Sequence, residues 1–411
     1  MYFIRMYRSC LQNRRRRMKA LEKLDDLLEG FVRMEHGPAG CALKAVRGQE
    51  IIYEGYKGYA DEKAGKLIGP GTVYRMYSCT KVVTAAAAML LLERGKMLLD
   101  DPVSRYLPEY GDLTWCRYTG NNMISLEKTG TMTIRHLLTM TSGFTYDGIH
   151  NTTQQETKRV LEEMNREGGA STREFARRLA QVPLLFEPGT HWNYGLGLDV
   201  LGAVIEVISG MPFGEFLKKE FFEPLEMRHT AFFIEEIPEE KLAVMYRYAG
   251  EKRVPNLTEE FKFHSSYQLQ SGGGGLLSTV EDMSHFARML AKGGLWKGKR
   301  ILGKRTIELM SRNQLHGEAL EDFRRTHRYG WGFMAGCGYG LGVKTVTDMA
   351  ESGCMVNQGA FSWAGAAGTL LWADPENDLS FVYAHQLMPD NREEYCHPRL
   401  LNVIYGLLED K

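Results

Sequence analysis

Ser78-Cys79-Thr80-Lys81 places a hydroxyl and an amine three residues apart. On a helix that spacing puts both side chains on one face, so the amine can reach the hydroxyl. The residues that follow, Val82 to Glu93, are helix formers and apolar nearly all round, which predicts a helix buried inside the protein. Burial lowers a lysine pKa by desolvation, so a neutral Lys81 amine could take the Ser78 proton. A helix N-terminus adds backbone N–H groups and the positive end of a dipole beside the serine. The chemistry is nucleophilic attack by a serine oxygen. Alone, the tetrad also fits a surface Ser and Lys on any helix. The buried helix argues the other way, because an unpaired lysine there is costly.

Two further segments could complete such a site. Pro188-Gly189-Thr190-His191-Trp192-Asn193-Tyr194-Gly195-Leu196 leads into Asp199-Val200-Leu201-Gly202. A tyrosine in a loop before a helix could face the serine. As phenolate, or through a hydrogen bond to the lysine, Tyr194 could relay its proton; the plain alternative is a core aromatic. Trp363-Ala364-Gly365-Ala366-Ala367-Gly368-Thr369 enters a strand. Small residues at a strand edge let a substrate approach the backbone, and a free N–H there could be an oxyanion donor. The plain alternative is a packing bulge.

Taken together, the order of these segments resembles the class C β-lactamase-related serine hydrolases, and within them the carboxylesterase branch with a β-lactamase fold. The Asp374-Pro375-Glu376-Asn377-Asp378 turn, the stretch Thr133 to Gly143 and the run Ser271 to Leu276 with Ser278-Thr279 extend the match to about residues 20 to 410. The resemblance implies that Ser78 is acylated, that Lys81 is its base partner and that Tyr194 is the tyrosine of a Y-x-N motif. It implies an oxyanion hole from the N–H groups of Ser78 and Ala366. It places Trp363, Ala364 and Gly365 on the strand motif that reads Lys-Thr-Gly in β-lactamases. Two departures matter: Leu196 replaces the asparagine of Y-x-N, and Trp363 replaces the lysine. Both changes remove polar anchors for a β-lactam or peptide. Trp363 at the rim would offer apolar area instead. With Leu196 and Tyr77 also lining the site, a small carboxylic ester is the expected substrate. A β-lactam or D-amino-acid peptide substrate, or a penicillin sensor that acylates without turnover, are the alternatives.

The elements around these residues predict an α/β sheet domain holding a helical insertion. Leu21, Leu24, Leu27, Leu28 and Phe31 recur at helical spacing. Strands are expected at Cys41–Val46 and Ile51–Tyr56, turning at Arg47-Gly48-Gln49, and at Thr369–Ala373 and Leu379–His385 about the Asp374 turn. Asp101-Pro102 resembles a helix start. Helices are expected at Thr133–Met140, Ser171–Leu179, Asp199–Ile208, Pro212–Glu220, Val280–Lys292 and Arg399–Leu408. The expectation is a β-lactamase/transpeptidase-like fold: an antiparallel sheet flanked by terminal helices, with a large all-helical insertion. The sheet lobe would hold about residues 18–104 and 291–411, the helical lobe about 105–290, and residues 1–17 a disordered leader.

Composition narrows the partners. The chain has 411 residues and zero formal net charge, so no charge surplus draws nucleic acid or an anionic membrane. Its seven cysteines lack a CxxC pair, which suits a reducing compartment better than a disulfide framework or zinc. The start MYFIRMYRSCLQNRRRRM has no apolar stretch of the roughly 7–15 residues of a secretory signal. A cytoplasmic protein is therefore expected, acting on a small acyl substrate without nucleic acid, membrane or cofactor. The eleven histidines show no HExxH or other metal-ligand spacing; His136 reads as structural and His385 as a secondary pocket candidate. The run Ser271 to Gly275 lacks the Gly-Lys-Ser/Thr of a phosphate loop and reads as a tight turn near the site. No G-x-S-x-G elbow is present, which leaves an α/β-hydrolase route unsupported.

Overall fold

The computed structural model describes residues 21–119, 123–326, 334–389 and 392–408. The expected leader, residues 1–17, lies outside the described residues. One antiparallel sheet organises the chain. Its strands are β1 (Gly40–Arg47), β2 (Glu50–Asp61), β3 (Lys66–Leu67), β4 (Cys337–Tyr339), β5 (Lys344–Val346), β6 (Phe361–Gly365), β7 (Thr369–Asp374) and β8 (Leu379–His385). They lie in the order β4-β5-β6-β7-β8-β1-β2-β3. The two chain ends therefore meet at β8 and β1, where Cys41 pairs with His385 and Arg47 with Leu379.

Turn chemistry sets the two tight hairpins. Gly48 adopts φ 62°, so β1 and β2 are joined by Gly48-Gln49 alone, one residue shorter than expected. Asp374 closes the β7–β8 turn by accepting the N–H groups of Glu376 (3.0 Å) and Asn377 (3.2 Å).

Helices cover both faces. Helix α1 (residues 21–33) buries Leu24, Leu28 and Phe31, and Phe31 meets the Tyr383 ring edge-on at 6.1 Å. Trp372 stacks on Phe381 on the same side of the sheet and donates its indole N–H to Tyr405. Buried helix α2 (Thr80–Glu93) has every side chain from Thr80 to Leu91 buried, as its near-continuous apolar pattern requires. Of the insertion, α3 (Thr152–Glu167), α4 (Thr172–Leu179) and α5 (Gly197–Ser209) form the helical wall, and α5 packs on α2. Helix α6 (Val280–Ala291) belongs with the sheet. It packs across β7, β8 and β1, and its Glu281 pairs with the buried Lys44 of β1. Helix α7 (Glu393–Gly406) carries Tyr405 and begins before the Arg399 expected.

The insertion is not purely helical. Thr114–Thr119 pairs with Met123–Lys128, and Tyr246–Ala249 with Lys252–Pro255, both antiparallel. The second hairpin bridges back to the end of β8 through Tyr246 N–H and the Gln386 carbonyl, 3.1 Å apart. Asp101-Pro102 opens only a short 3-10 turn, Val103–Arg105. Pro212–Glu220 divides into a short helix, Phe213–Leu217, and a wider turn, Lys218–Phe222. Among the described residues no single helix is long and apolar enough to cross a membrane, and no disulfide joins the six described cysteines.

Phe31 is 1% exposed and packs edge-on against Tyr383 of β8. Phe31→Ala is expected to cost about 3–5 kcal/mol of stability. A lowered urea midpoint with an unchanged far-ultraviolet spectrum of the folded protein would show it.

Candidate active site

Ser78 is held by a strained turn between a strand pair and the buried helix. Val73–Arg75 pairs antiparallel with Leu277–Thr279, and Met76 N–H donates to the Leu276 carbonyl at 2.8 Å. The chain then turns sharply. Tyr77 has φ 43°, a left-handed conformation that a bulky residue rarely adopts. A 3-10 turn, Tyr77–Cys79, presents Ser78 immediately before α2, rather than as the first residue of the α-helix itself. The end of β6 and the start of β7 brace this turn. Thr369 Oγ1 donates to the Met76 carbonyl at 2.9 Å, and Cys79 Sγ lies 3.4 Å from the Trp363 carbonyl. Cys79 is thus a packed structural thiol. A Cβ at Gly365 would collide with the Met76 carbonyl, so only glycine lets β6 approach so closely.

The three expected polar residues converge. Tyr194 OH lies 2.6 Å from Ser78 Oγ, and Lys81 Nζ lies 3.2 Å from it. Lys81 Nζ also reaches Tyr146 OH at 2.9 Å and the Gly273 carbonyl at 2.5 Å. It sits 4.8 Å from the Tyr194 ring centroid. Lys81 is fully buried.

These surroundings oppose the effect of burial on the amine. Burial pushes the Lys81 pKa down, but Tyr146, Tyr194 and Asp199 together push it up further, so the net direction is upward. With a carbonyl and two hydroxyl oxygens at hydrogen-bond distance, all three N–H bonds of an ammonium have acceptors. Lys81 is charged. Burial in turn raises the Tyr146 pKa, with the Lys81 charge opposing.

Trp363 has a different place from the one its motif suggested. It is 3% exposed and does not line the cavity beside Ser78. Its indole Nε1–H donates to Tyr194 OH at 3.1 Å, and its ring packs against Tyr194 at 5.4 Å and edge-on against Tyr339 at 5.3 Å. The side chain is a wedge that orients the phenol. Ala364 and Gly365 are also buried within β6, outside that cavity's lining. Ala366, the next residue, is exposed and borders the cavity with Ser78, Tyr77 and Leu196. The cavity holds about 460 Å3. Leu161, Phe175 and Leu269 supply much of its far wall, while Lys262 and Glu259, 2.7 Å apart, add charge to it.

Other sequence candidates resolve as packing. His385 is fully buried, accepts or donates at Tyr383 OH (2.9 Å) and abuts Gly368 behind the site. His136 caps its own short helix, accepting Thr133 N–H at 3.3 Å. The glycine run does turn beside the site: Gly272 accepts from Thr84 Oγ1 at 2.7 Å and Gly273 accepts from Lys81. Sequence reasoning missed Tyr146 and Asp199. Tyr146 lies three residues past the Ser142-Gly143 end of a quoted segment, and Asp199 stands conspicuously acidic in an apolar helix, GLDVLGAVI.

The chain matches the family described as Beta-lactamase over residues 19–403. It is 32% identical to Protein Rv1367c of Mycobacterium tuberculosis, with 86% of each chain covered. It is 29% identical to Esterase EstB of Burkholderia gladioli, with 88% of each covered. Among solved structures, it matches EstCE1, a hydrolase with promiscuous acyltransferase activity, at 25% identity and a TM-score of 0.75, covering 94% of this chain and 99% of that one. The unliganded selenomethionyl Simvastatin Synthase (LovD) of Aspergillus terreus matches at 21% identity and a TM-score of 0.80, covering 94% and 98%.

The Trp363 hydrogen bond can be tested apart from any substrate. Trp363→Phe keeps an aromatic wedge but removes the N–H, a loss of about 1 kcal/mol that would slow Ser78 roughly fivefold. The check is the rate of Ser78 labelling by a fluorophosphonate, with the melting temperature little changed.

Proposed function

Since this chain belongs to the beta-lactamase family, we propose that it is a serine hydrolase that cleaves small carboxylic esters through a Ser78 acyl-enzyme. One observation carries the reading: Ser78 Oγ lies within 3.2 Å of both Tyr194 OH and Lys81 Nζ at the wall of an open cavity. Tyr194 and Lys81 act as a pair. The Tyr194 oxygen, 2.6 Å from Ser78 Oγ, takes the serine proton, and the neighbouring Lys81 amine stabilises the negative charge in the pair. Ser78 Oγ then bonds to the acyl carbon. The carbonyl oxygen gathers negative charge and is met by the N–H groups of Ser78 and Ala366. As the acyl–oxygen bond breaks, the leaving alcohol takes a proton from Tyr194. Water attacks the acyl-enzyme by the same route in reverse and restores Ser78.

The cavity supports an ester over a β-lactam or peptide. Leu196 borders it where a polar anchor would serve an amide, and the Trp363 indole is committed to Tyr194. A cleft of this volume with apolar walls selects by shape and apolar contact. The relative named Esterase EstB supports the same choice.

A short-chain chromogenic ester and a chromogenic cephalosporin, compared on the same enzyme, test this reading. Ester turnover is expected to exceed cephalosporin turnover. Ser78→Ala should abolish both, and Tyr194→Phe should lower kcat by about 100-fold or more. Full activity in Ser78→Ala would remove the nucleophile. A better rate on the cephalosporin would move the substrate to the β-lactams, and one equivalent of product without turnover would make the protein an acyl trap.

A further inference from the structure

Asp199 is an acidic residue where the fold otherwise places apolar ones. It lies in the first turn of α5, a helix buried from Gly197 through Ile205, and is itself 3% exposed. Its Oδ1 accepts from Ser271 Oγ at 2.5 Å and from Gly273 N–H at 3.1 Å. Among the described residues its Oδ2 has no hydrogen-bond partner. That oxygen lies against the α-carbon of Gly273, where any Cβ would collide with it. A buried carboxylate with one orphaned oxygen is expensive unless a cation is near. Lys81, whose amine rests on the carbonyl of the same Gly273, supplies that charge from across the loop residue and not by direct ion pairing.

Gly273 is thus held from both sides. Asp199 takes its N–H and Lys81 donates to its C=O. Glycine is required there because Asp199 fills the space a side chain would occupy. Ser271 fixes the near oxygen of the carboxylate, and Thr84 of α2 fixes the neighbouring Gly272 carbonyl. The loop that seats the amine is therefore tied to α5 by a charge and to α2 by a hydroxyl.

We infer that Asp199 is a positioning residue for the reaction: its carboxylate is the counter-charge of Lys81 and, through Gly273, fixes the seat on which the Lys81 amine rests. The inference rests on the serine-hydrolase reading above and adds a fourth polar residue to it. Asp199 acts through Lys81. The amine stays cationic, and the Tyr194 oxygen stays the receiver of the serine proton.

The groups that face Lys81 are few, which makes the effect readable. Tyr146 and Tyr194 approach it from two loops, Asp199 stands behind Gly273, and Tyr339 of β4 acts on both tyrosines. Asp199 is the one carboxylate among them. Burial raises its own pKa and the Lys81 charge opposes that rise. Removing a nearby negative charge makes every proton in the cluster leave more readily. The alkaline limb of activity must therefore move to lower pH.

Asp199→Asn tests this, since the amide keeps the shape and can still accept from Ser271 and Gly273. In the wild type, kcat on the chromogenic ester should hold to about pH 10, near or above the ordinary lysine range. In Asp199→Asn the alkaline limb should move down by about one pH unit or more, with KM little changed. Ser271→Ala, which removes a hydrogen bond and no charge, should lower the rate while leaving the limb in place. An Asp199→Asn profile that superimposes on the wild type, or a loss equal at every pH, would overturn the inference. If Asp199→Asn does not fold, the wild type still decides: an alkaline limb well below the lysine range would show that Lys81 lacks its counter-charge. Activity surviving in Ser78→Ala would instead defeat the hydrolase reading itself, and the two failures are distinct.

Discussion

A fully buried lysine amine governs this structure. Lys81 projects from a helix whose side chains are all buried from Thr80 to Leu91, so no solvent shell offsets its charge. Such a group either loses its proton or collects acceptors until the charge is matched. This protein supplies the acceptors. Ser78, Tyr146 and the Gly273 carbonyl surround the amine, and Asp199 stands behind them. Each acceptor comes from a different stretch of chain, so the cation is a point on which separate elements must agree. A shift in any of α2, α5 or the glycine loop leaves a buried charge short of a partner.

The sheet supplies that agreement at long sequence range. Pairing β8 with β1 joins the two ends of the chain, and β6 then runs its small residues up to the Ser78 turn. Two close approaches need the absence of a side chain: Gly365 against the Met76 carbonyl and Gly273 against Asp199. Tyr77 takes a left-handed backbone conformation at the same place. Its cost is carried by the strand pair Val73–Arg75 with Leu277–Thr279 before it and by α2 after it, both of which are buried. Strain sits where Ser78 must project toward the cavity.

The sequence made part of this legible. The spacing of Ser78 and Lys81, with an apolar helix behind, marks the pair because periodicity survives in one dimension. The strands about Asp374 were readable for the same reason, since turn chemistry is local. Tyr194 needed the resemblance, as nothing local aims a phenol at a serine over a hundred residues away. Trp363 misled because residue type gives chemistry and not direction: the indole points inward to Tyr194 and not along the cavity. The surroundings of the lysine were hidden for a related reason. Burial was readable from the helix, whereas the three groups that reverse its effect come from distant segments. The Thr114–Lys128 hairpin escaped because its strands are partly polar and lack a clean alternation.

Trp363 and Leu196 together change what such a site can recognise. A cation at position 363 would add a second positive charge within reach of Tyr194, beside an already charged Lys81. An indole there donates one N–H to the phenol oxygen and carries no charge, so negative charge on that oxygen is met by a dipole from one side and by Lys81 from the other. Leu196 at the cavity wall offers neither donor nor acceptor to an amide. Under the proposed ester reading, a substrate would be held mainly by the apolar part of the wall and by the oxyanion contacts. Both kinds of contact are available to an ester, and neither depends on a carboxylate or side-chain amide elsewhere in the ligand. Much of the polar character of the site is turned inward, onto the cluster about Lys81, while Leu161, Phe175, Leu196 and Leu269 give the cavity its apolar wall.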